Sequence, residues 1–175
     1  MGDIVSLLPR NELDVDLEQM DGVPAGPDVN IIDDTEMSKT AVPVLSLGGE
    51  ASKITFYTNC MLPYLVLHFW TCERFFTCAL VLVDDKRIKR TFHLSNKRSI
   101  ITVDKNLCSI PVENGDGWQR MNLDLNSLCT NAFGTSFCSC YEVTVTGSCK
   151  LARLFFQGKD YSDNELPSFL RVAAL

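Results

Sequence analysis

The sequence predicts a mainly β domain, an antiparallel sandwich or barrel with one short helix and an acidic, disordered N-terminal tail. Three observations carry this. From residue 41 onward the chain divides into short runs rich in β-branched and aromatic residues, separated by polar turns. Several runs alternate apolar and polar residues with period two. Only one stretch shows sustained helical spacing. With 175 residues, 46% of them hydrophobic and 22% charged, the chain can build one core and is too apolar to stay unfolded.

Residues 1–28 are expected to form the tail. No useful periodicity appears there, Asp, Glu, Pro and Gly dominate after Pro9, and Val23-Pro24-Ala25-Gly26-Pro27 reads as a linker. Residues 1–50 hold two basic against eleven acidic residues, a net −9, whereas residues 51–175 carry a net +3. The acidic balance of the chain therefore belongs to its N-terminal part, and the folded domain, placed at 29–175, is mildly basic. The opening Met1-Gly2-Asp3-Ile4-Val5-Ser6 matches the loose pattern for N-myristoylation, but acidic residues follow where a basic cluster would support membrane binding.

Nine strands are expected, near Val42–Leu47, Lys53–Thr58, Tyr64–Trp70, Phe75–Val83, Arg87–Leu94, Ile100–Val103, Gly117–Leu125, Tyr141–Thr146 and Leu151–Phe156. Asp84-Asp85-Lys86 and Glu113-Asn114-Gly115-Asp116-Gly117 supply turns between them. Phe75–Val83 lacks alternation, which predicts a central strand covered on both faces. In Arg87–Leu94, Ile88, Phe92 and Leu94 share one face while Arg87, Lys89, Thr91 and His93 share the other, so this strand should present a solvated side. Met121, Leu123 and Leu125 against Arg120, Asn122 and Asp124 repeat the pattern. Helical spacing appears at Leu125, Leu128, Cys129, Ala132 and Phe133, with Asp124 or Asn126 as N-cap and Gly134 as C-cap. Ser162-Asp163-Asn164-Glu165 has capping-box spacing and predicts one more helical turn.

Eight cysteines occur with no secretory leader, no Asn-x-Ser/Thr sequon and no Cys-x-x-Cys, so reduced thiols packed as small hydrophobes are expected, Cys72, Cys78, Cys138 and Cys140 among them. Neither histidine has a second ligand spaced to join it, and no metal site or cofactor is expected. Nucleophile elbows, phosphate loops and zinc-protease motifs are absent, and Asp84/Asp85 sit at a turn that explains them. No catalytic residue is assigned. The longest apolar stretches, Met61–Trp70 and Phe75–Val83, are about half of what a membrane helix needs.

Several segments in register resemble the cilia- and flagella-associated protein 20 family. They are Val83-Asp84-Asp85-Lys86 leading through Arg87–Leu94 to Ser95-Asn96, then Asp116-Gly117-Trp118, Phe133-Gly134-Thr135, Cys149-Lys150-Leu151 and Tyr161–Pro167. The likeness spans roughly residues 29–172 and is strongest from Leu80 onward. It implies a jelly-roll-like β-sandwich without catalysis, a component of the axonemal doublet microtubule at the inner junction, beside tubulin and the parkin co-regulated protein. It also implies effects on motility, with centriolar, basal-body and nuclear roles for relatives. This chain departs from the family where an acidic segment replaces an apolar, Phe-rich opening, and where Cys60-Met61-Leu62-Pro63 shortens a polar, Lys-containing loop. It resembles a divergent member.

The candidate partner-binding residues are Lys86, Arg87, Lys89, Arg90, Lys97 and Arg98, a basic stripe suited to the acidic surface of tubulin. The plain alternative is a solvated strand face that discourages edge pairing. Nucleic acid is the poorer fit, since no exposed aromatics interleave the cluster and no binding motif is present. Trp118 or Tyr141 as a stacking platform for carbohydrate is the competing ligand-binding reading; Trp118, Trp70 and His68 are otherwise expected in the core.

Overall fold

Two strands run through the whole molecule and organise the rest. The computed structural model describes residues 3–11, 21–37, 41–72 and 74–171. In chain order the strands are β1 (Ile4–Leu8), β2 (Val23–Ala25), β3 (Val29–Asp34), β4 (Val42–Cys60), β5 (Tyr64–Trp70), β6 (Phe76–Asp84), β7 (Lys89–Ser95), β8 (Thr102–Asp104), β9 (Leu107–Pro111) and β10 (Gln119–Asp124). The helix α1 (Leu125–Phe133) and the last strand β11 (Phe137–Gln157) follow.

The long strands β4 and β11 pair antiparallel from Cys60↔Cys140 to Leu45↔Leu151, with a break where Lys53↔Thr146 gives way to Gly49↔Gly147. Both strands turn there. Gly147 has φ 118°, and a Cβ at that position would lie 2.1 Å from the Phe75 carbonyl oxygen, so only glycine lets the chains approach. On either side of this corner one edge of β11 has different neighbours, β6 before it and β5 after it. One hydrogen-bonded sheet thus folds over into two layers. The first continues β11–β6–β7–β9–β8, and the second carries β5 and β10 beside β11, with β3 on β4. β1 takes up the edge of β11 where β4 leaves it, at Leu8↔Leu154.

Between the layers lie the apolar residues that alternation assigns inward. Leu65, Leu67 and Phe69 of β5 share the core with Phe76, Cys78, Leu80 and Leu82 of β6, and the Phe69 and Phe76 rings stack at 4.8 Å and 9°. Burying each such side chain stabilises the fold by roughly 1.5–3 kcal/mol relative to exposure. A smaller cluster forms outside the second layer, where Leu166 and Leu170 of the C-terminal segment cover Val66 and Phe155. That cover makes β11 buried on both faces from Leu151 to Gln157.

The helix forms as its spacing predicts. The Asp124 carboxylate accepts from the Ser127 N–H at 3.0 Å, and Gly134 closes the other end in the left-handed conformation, φ 66°. Near the C-terminus the Glu165 carboxylate reaches back to the Ser162 N–H at 2.9 Å, as the capping-box spacing predicts.

Several expectations need correction. Residues 4–8 and 23–25, placed in a structureless tail, are strands: β1 buries Leu8 completely and pairs with β11, and β2 pairs with β4. Residues 12–20 of that tail, and Met1 and Gly2 of the acylation pattern, lie outside the described residues. Two pairs of expected strands are continuous, as β4 and β11, and β3 and β9 are additional. The pairing is not wholly antiparallel, because β7 and β9 run parallel. β8, which follows β7 in the chain, pairs with β9. β6 is central, between β11 and β7, but its outward residues Thr77, Ala79, Val81 and Val83 are only half-buried, because that face looks away from the second layer. Cys138 is exposed and Cys72 half-buried, while the other six cysteines are buried.

Candidate functional site

The basic residues singled out in the sequence lie on β7 and the turns at its two ends. At the first end Asp84 builds the turn. Its Oδ1 accepts from the Lys86 and Ile88 N–H groups at 3.0 and 2.9 Å, and its backbone carbonyl accepts from Arg87 N–H at 2.9 Å. This wraps the chain so tightly that Arg87 takes φ 61°. Lys86 and Arg87 are left exposed at the tip.

Arg90 does not belong with them. Its Nε donates to the wholly buried Asp84 Oδ2 at 2.8 Å, one of its terminal nitrogens donates to Asn106 Oδ1 at 2.7 Å, and its guanidinium lies 4.5 Å from the centre of the Phe133 ring. Burial pushes the Asp84 carboxyl up, but the Arg90 guanidinium and the Ile88 N–H more than offset this and hold it below the usual carboxylate range. Arg90 therefore joins β7 to the turn and to α1. The sequence signal was its parity, which it shares with Phe92 and Leu94 rather than with Lys89 and Thr91.

Lys89 and Lys97 sit over aromatic rings. The Lys89 ammonium is 4.2 Å from the Tyr141 ring centre, and Lys97 is 4.1 Å from that of Phe75 while pairing with Glu50 at 2.7 Å. Arg98 stands beside it, exposed. β7 is seven residues long, so about 20 Å separate the two ends and the stripe divides into two groups. Lys86, Arg87 and Lys89 form one; Lys97 and Arg98 form the other.

Between them lies the outward face of the first layer. Near the second group it forms a shallow groove of about 410 Å³ lined by Phe75, Thr77, His93, Ser95, Lys97 and Arg98. Burial and the Arg98 charge hold the His93 imidazole below its ordinary value, so it is a neutral hydrogen-bonding group at physiological pH. Tyr57 and Tyr141 stand on the first layer, 63% and 44% exposed.

A second constellation had no signal as a group in the sequence. Asp34, at the end of β3, accepts from Lys150 Nζ at 2.8 Å, from the Glu36 and Met37 N–H groups at 3.0 Å, and from Trp118 Nε1 at 3.2 Å. Burial raises the Asp34 carboxyl, and Lys150 with the other donors outweighs it, leaving the group below its usual range. Lys150 lies 4.7 Å from the Trp70 ring centre, and Trp118 packs on His68 and Trp70 at 5.4 and 6.3 Å. Beneath them Arg153, itself buried, is 3.5 Å from His68 Nδ1 and donates to the Phe169 carbonyl at 3.1 Å. Trp118 is thus half-buried with its N–H satisfied, and the group fastens β3 and the C-terminal segment to the second layer.

Burial pushes the Cys140 and Cys149 thiols up to about 12 and Cys129 to about 11, so these are poor nucleophiles. Among the described residues no three His, Cys, Asp or Glu side chains converge in a way that could hold a metal ion. No helix among them is long and apolar enough to cross a membrane.

Comparison with known proteins completes the description. The profile of the CFA20 domain matches residues 26–174. Curated relatives named "Cilia- and flagella-associated protein 20" include one from Paramecium tetraurelia, 30% identical over 61% of this chain and 56% of its own length. Another, from Chlamydomonas reinhardtii, is 28% identical over 74% of this chain and 73% of its own. A third, from Caenorhabditis elegans, is 28% identical over 63% and 55%. The matches thus span from about half to about three quarters of those relatives. Among solved structures, a xylan-binding domain from Paenibacillus barcinonensis aligns over 82% of this chain and 89% of its own, with a TM-score of 0.40 and 7% identity. At that score nothing about ligands follows.

Proposed function

Because the chain belongs to the CFA20 domain family, we propose that it is a non-enzymatic structural component of cilia or flagella that docks on the doublet microtubule, at or near the inner junction, and affects cilium assembly or motility. The observation that carries the reading is the outward face of the first layer. It carries short hydroxyl side chains such as Thr77, Thr91 and Thr144 around a shallow groove, and is bounded at both ends by cations on and beside the turns of β7. Such a surface suits an acidic, repetitive lattice better than a small ligand. Tubulin and inner-junction proteins such as the parkin co-regulated protein are the proposed partners, and the cilium or flagellum the proposed location. Lys86, Arg87, Lys89, Lys97 and Arg98 supply the attraction, whereas Arg90 supports the fold beneath them.

The test is a tagged chain expressed in ciliated cells, with binding to isolated doublets measured by co-sedimentation over a range of salt. The wild type should enter cilia and bind doublets in a salt-dependent way. Reversing Arg87, Lys89 and Arg98 to Glu should weaken binding at least tenfold with no loss of thermal stability. Unchanged binding by that variant, or exclusion of the wild type from cilia, overturns the proposal.

Tyr141 and Tyr57 favour a second reading, a carbohydrate-binding face using the exposed rings as platforms. A glycan array separates the two, since a saccharide hit abolished by Tyr141→Ala would support the ligand-binding reading.

A further inference from the structure

The groove at the second end of β7 is built mainly from hydrogen-bond donors. Thr77 of β6 and Ser95 of β7 stand directly opposite each other, and His93 lies two residues back on the same face. Ser95 Oγ accepts from the Lys97 N–H at 3.2 Å, which leaves its own hydroxyl proton free to donate. Asn96 fixes the turn beyond it, its Oδ1 accepting from the Phe76 N–H at 2.9 Å, and Lys97 and Arg98 follow, both exposed. Phe75 supplies an apolar wall. Among the described residues no acid lines this groove, and Arg98 has no carboxylate within ion-pair distance.

One carboxylate already stands at the rim. Glu50 of β4 pairs with Lys97 at 2.7 Å, and that hydrogen bond holds its carboxyl below the usual range. The Glu50 side chain is 71% exposed, so the pair closes nothing, and a second acid can reach Arg98 and His93. A free oxyanion would meet the cations and hydroxyls but leave the Phe75 wall unused. A glutamate side chain meets both, with its methylenes against the ring and its carboxylate on the donors. At about 410 Å³ the groove is roomier than a bare oxyanion needs.

We propose that this groove is the seat for a glutamate side chain of an acidic partner segment, with Arg98 as its principal anchor. The seat rests on the docking reading, from which it takes the acidic partner, and it fixes the residue type and the point on the outward face that is engaged. The carboxylate lies against the Arg98 guanidinium, the Thr77 and Ser95 hydroxyls and the His93 N–H complete its hydrogen bonds, and the methylenes cover Phe75. Glu50 is the chain's own competitor, since it holds Lys97 in an internal pair. The Lys86, Arg87 and Lys89 group lies about 20 Å away, beyond a Debye length, and contributes no contact to this seat.

The test uses the full chain with a capped hexaglutamate peptide, its hexaglutamine counterpart and inorganic phosphate, followed by NMR of the imidazole C–H signals. The chain has two histidines, and His68 is set apart because it titrates at about 4. A carboxylate in the groove opposes the Arg98 charge beside His93, so hexaglutamate should raise the His93 pKa by about one unit, while hexaglutamine and equimolar phosphate leave it in place. Arg98→Gln should weaken hexaglutamate binding about tenfold and remove the peptide-induced shift. Glu50→Gln, which frees Lys97, should tighten binding about threefold. Lys86→Gln, at the far end of β7, should change it by less than about twofold. All three side chains are exposed, so the variants keep the fold. No binding, equal binding of the two peptides, a His93 shift as large with phosphate as with hexaglutamate, or equal losses in the Arg98 and Lys86 variants overturns the proposal. Sedimentation with doublets is a separate measurement. Wild type that seats hexaglutamate but ignores doublets sinks the docking reading alone, and wild type that binds doublets but leaves His93 unshifted by the peptide sinks the glutamate seat alone.

Discussion

The imidazole of His68 is 4% exposed, and burial, with the charges of Arg153 and Arg120, lowers its pKa to about 4. Between pH 6.5 and 4 the unfolded chain takes up a proton that the folded chain refuses. Stability is therefore full above pH 6.5 and falls as the pH drops through that interval, by about 3 kcal/mol in all. Urea midpoints measured from pH 7 to 4.5 should show this slope, and His68→Phe should flatten it. Asp84 acts in a lower window. Its carboxyl is held below the ordinary range, so its contribution is present above the unfolded value near pH 4 and is lost as pH falls through the folded one. Asp84→Asn should cost about 3 kcal/mol, since it leaves the Arg90 guanidinium buried without its counter-charge. Lys97→Ala, which removes an exposed pair with Glu50, should cost less than about 1 kcal/mol. Thermal melts of the two variants side by side check both.

At the scale of elements, the corner between the layers depends on Gly147. Gly147→Ala forces a methyl group against the Phe75 carbonyl at a backbone angle that L-residues avoid, and should cost about 2–3 kcal/mol. Gly117→Ala, at φ 80° but with open space around it, should cost about 1 kcal/mol. Denaturant titrations of both variants separate the clash from the angle. The elements that could be read from the sequence are those whose burial is set by neighbours along the chain: β5, β7, β10 and α1. β1 and β2 could not, because what holds them is distant. β1 pairs about 150 residues away, and β2 is exposed at all three positions and held by its backbone alone. β9 was hidden because the two-residue turn that joins it to β8, Lys105-Asn106, contains no glycine or proline to mark it, and its other neighbour, β7, pairs in parallel. The basic cluster was legible as residues but not as a surface, since the strand between its halves sets them apart and the parity of Arg90 turns it inward.

Considered as a whole, the molecule depends on its C-terminal segment to finish the second layer. Arg153 Nε to the Phe169 carbonyl, Asn122 Nδ2 to Asp160 at 2.7 Å and the Leu166–Leu170 contacts hold that segment over β5 and β11. Ending the chain after Gly158 should therefore uncover Val66 and Phe155 and raise binding of an environment-sensitive apolar dye. It should also return the His68 pKa toward 6.5, which a histidine NMR titration would read. The paired course of β4 and β11 through both layers has a mechanical meaning. A tug that draws one layer along β11 relative to the other loads many of their mutual hydrogen bonds at once, in shear, instead of peeling them one by one. Any body anchored by one flank and pulled by the other would be stiff in that direction and soft across it.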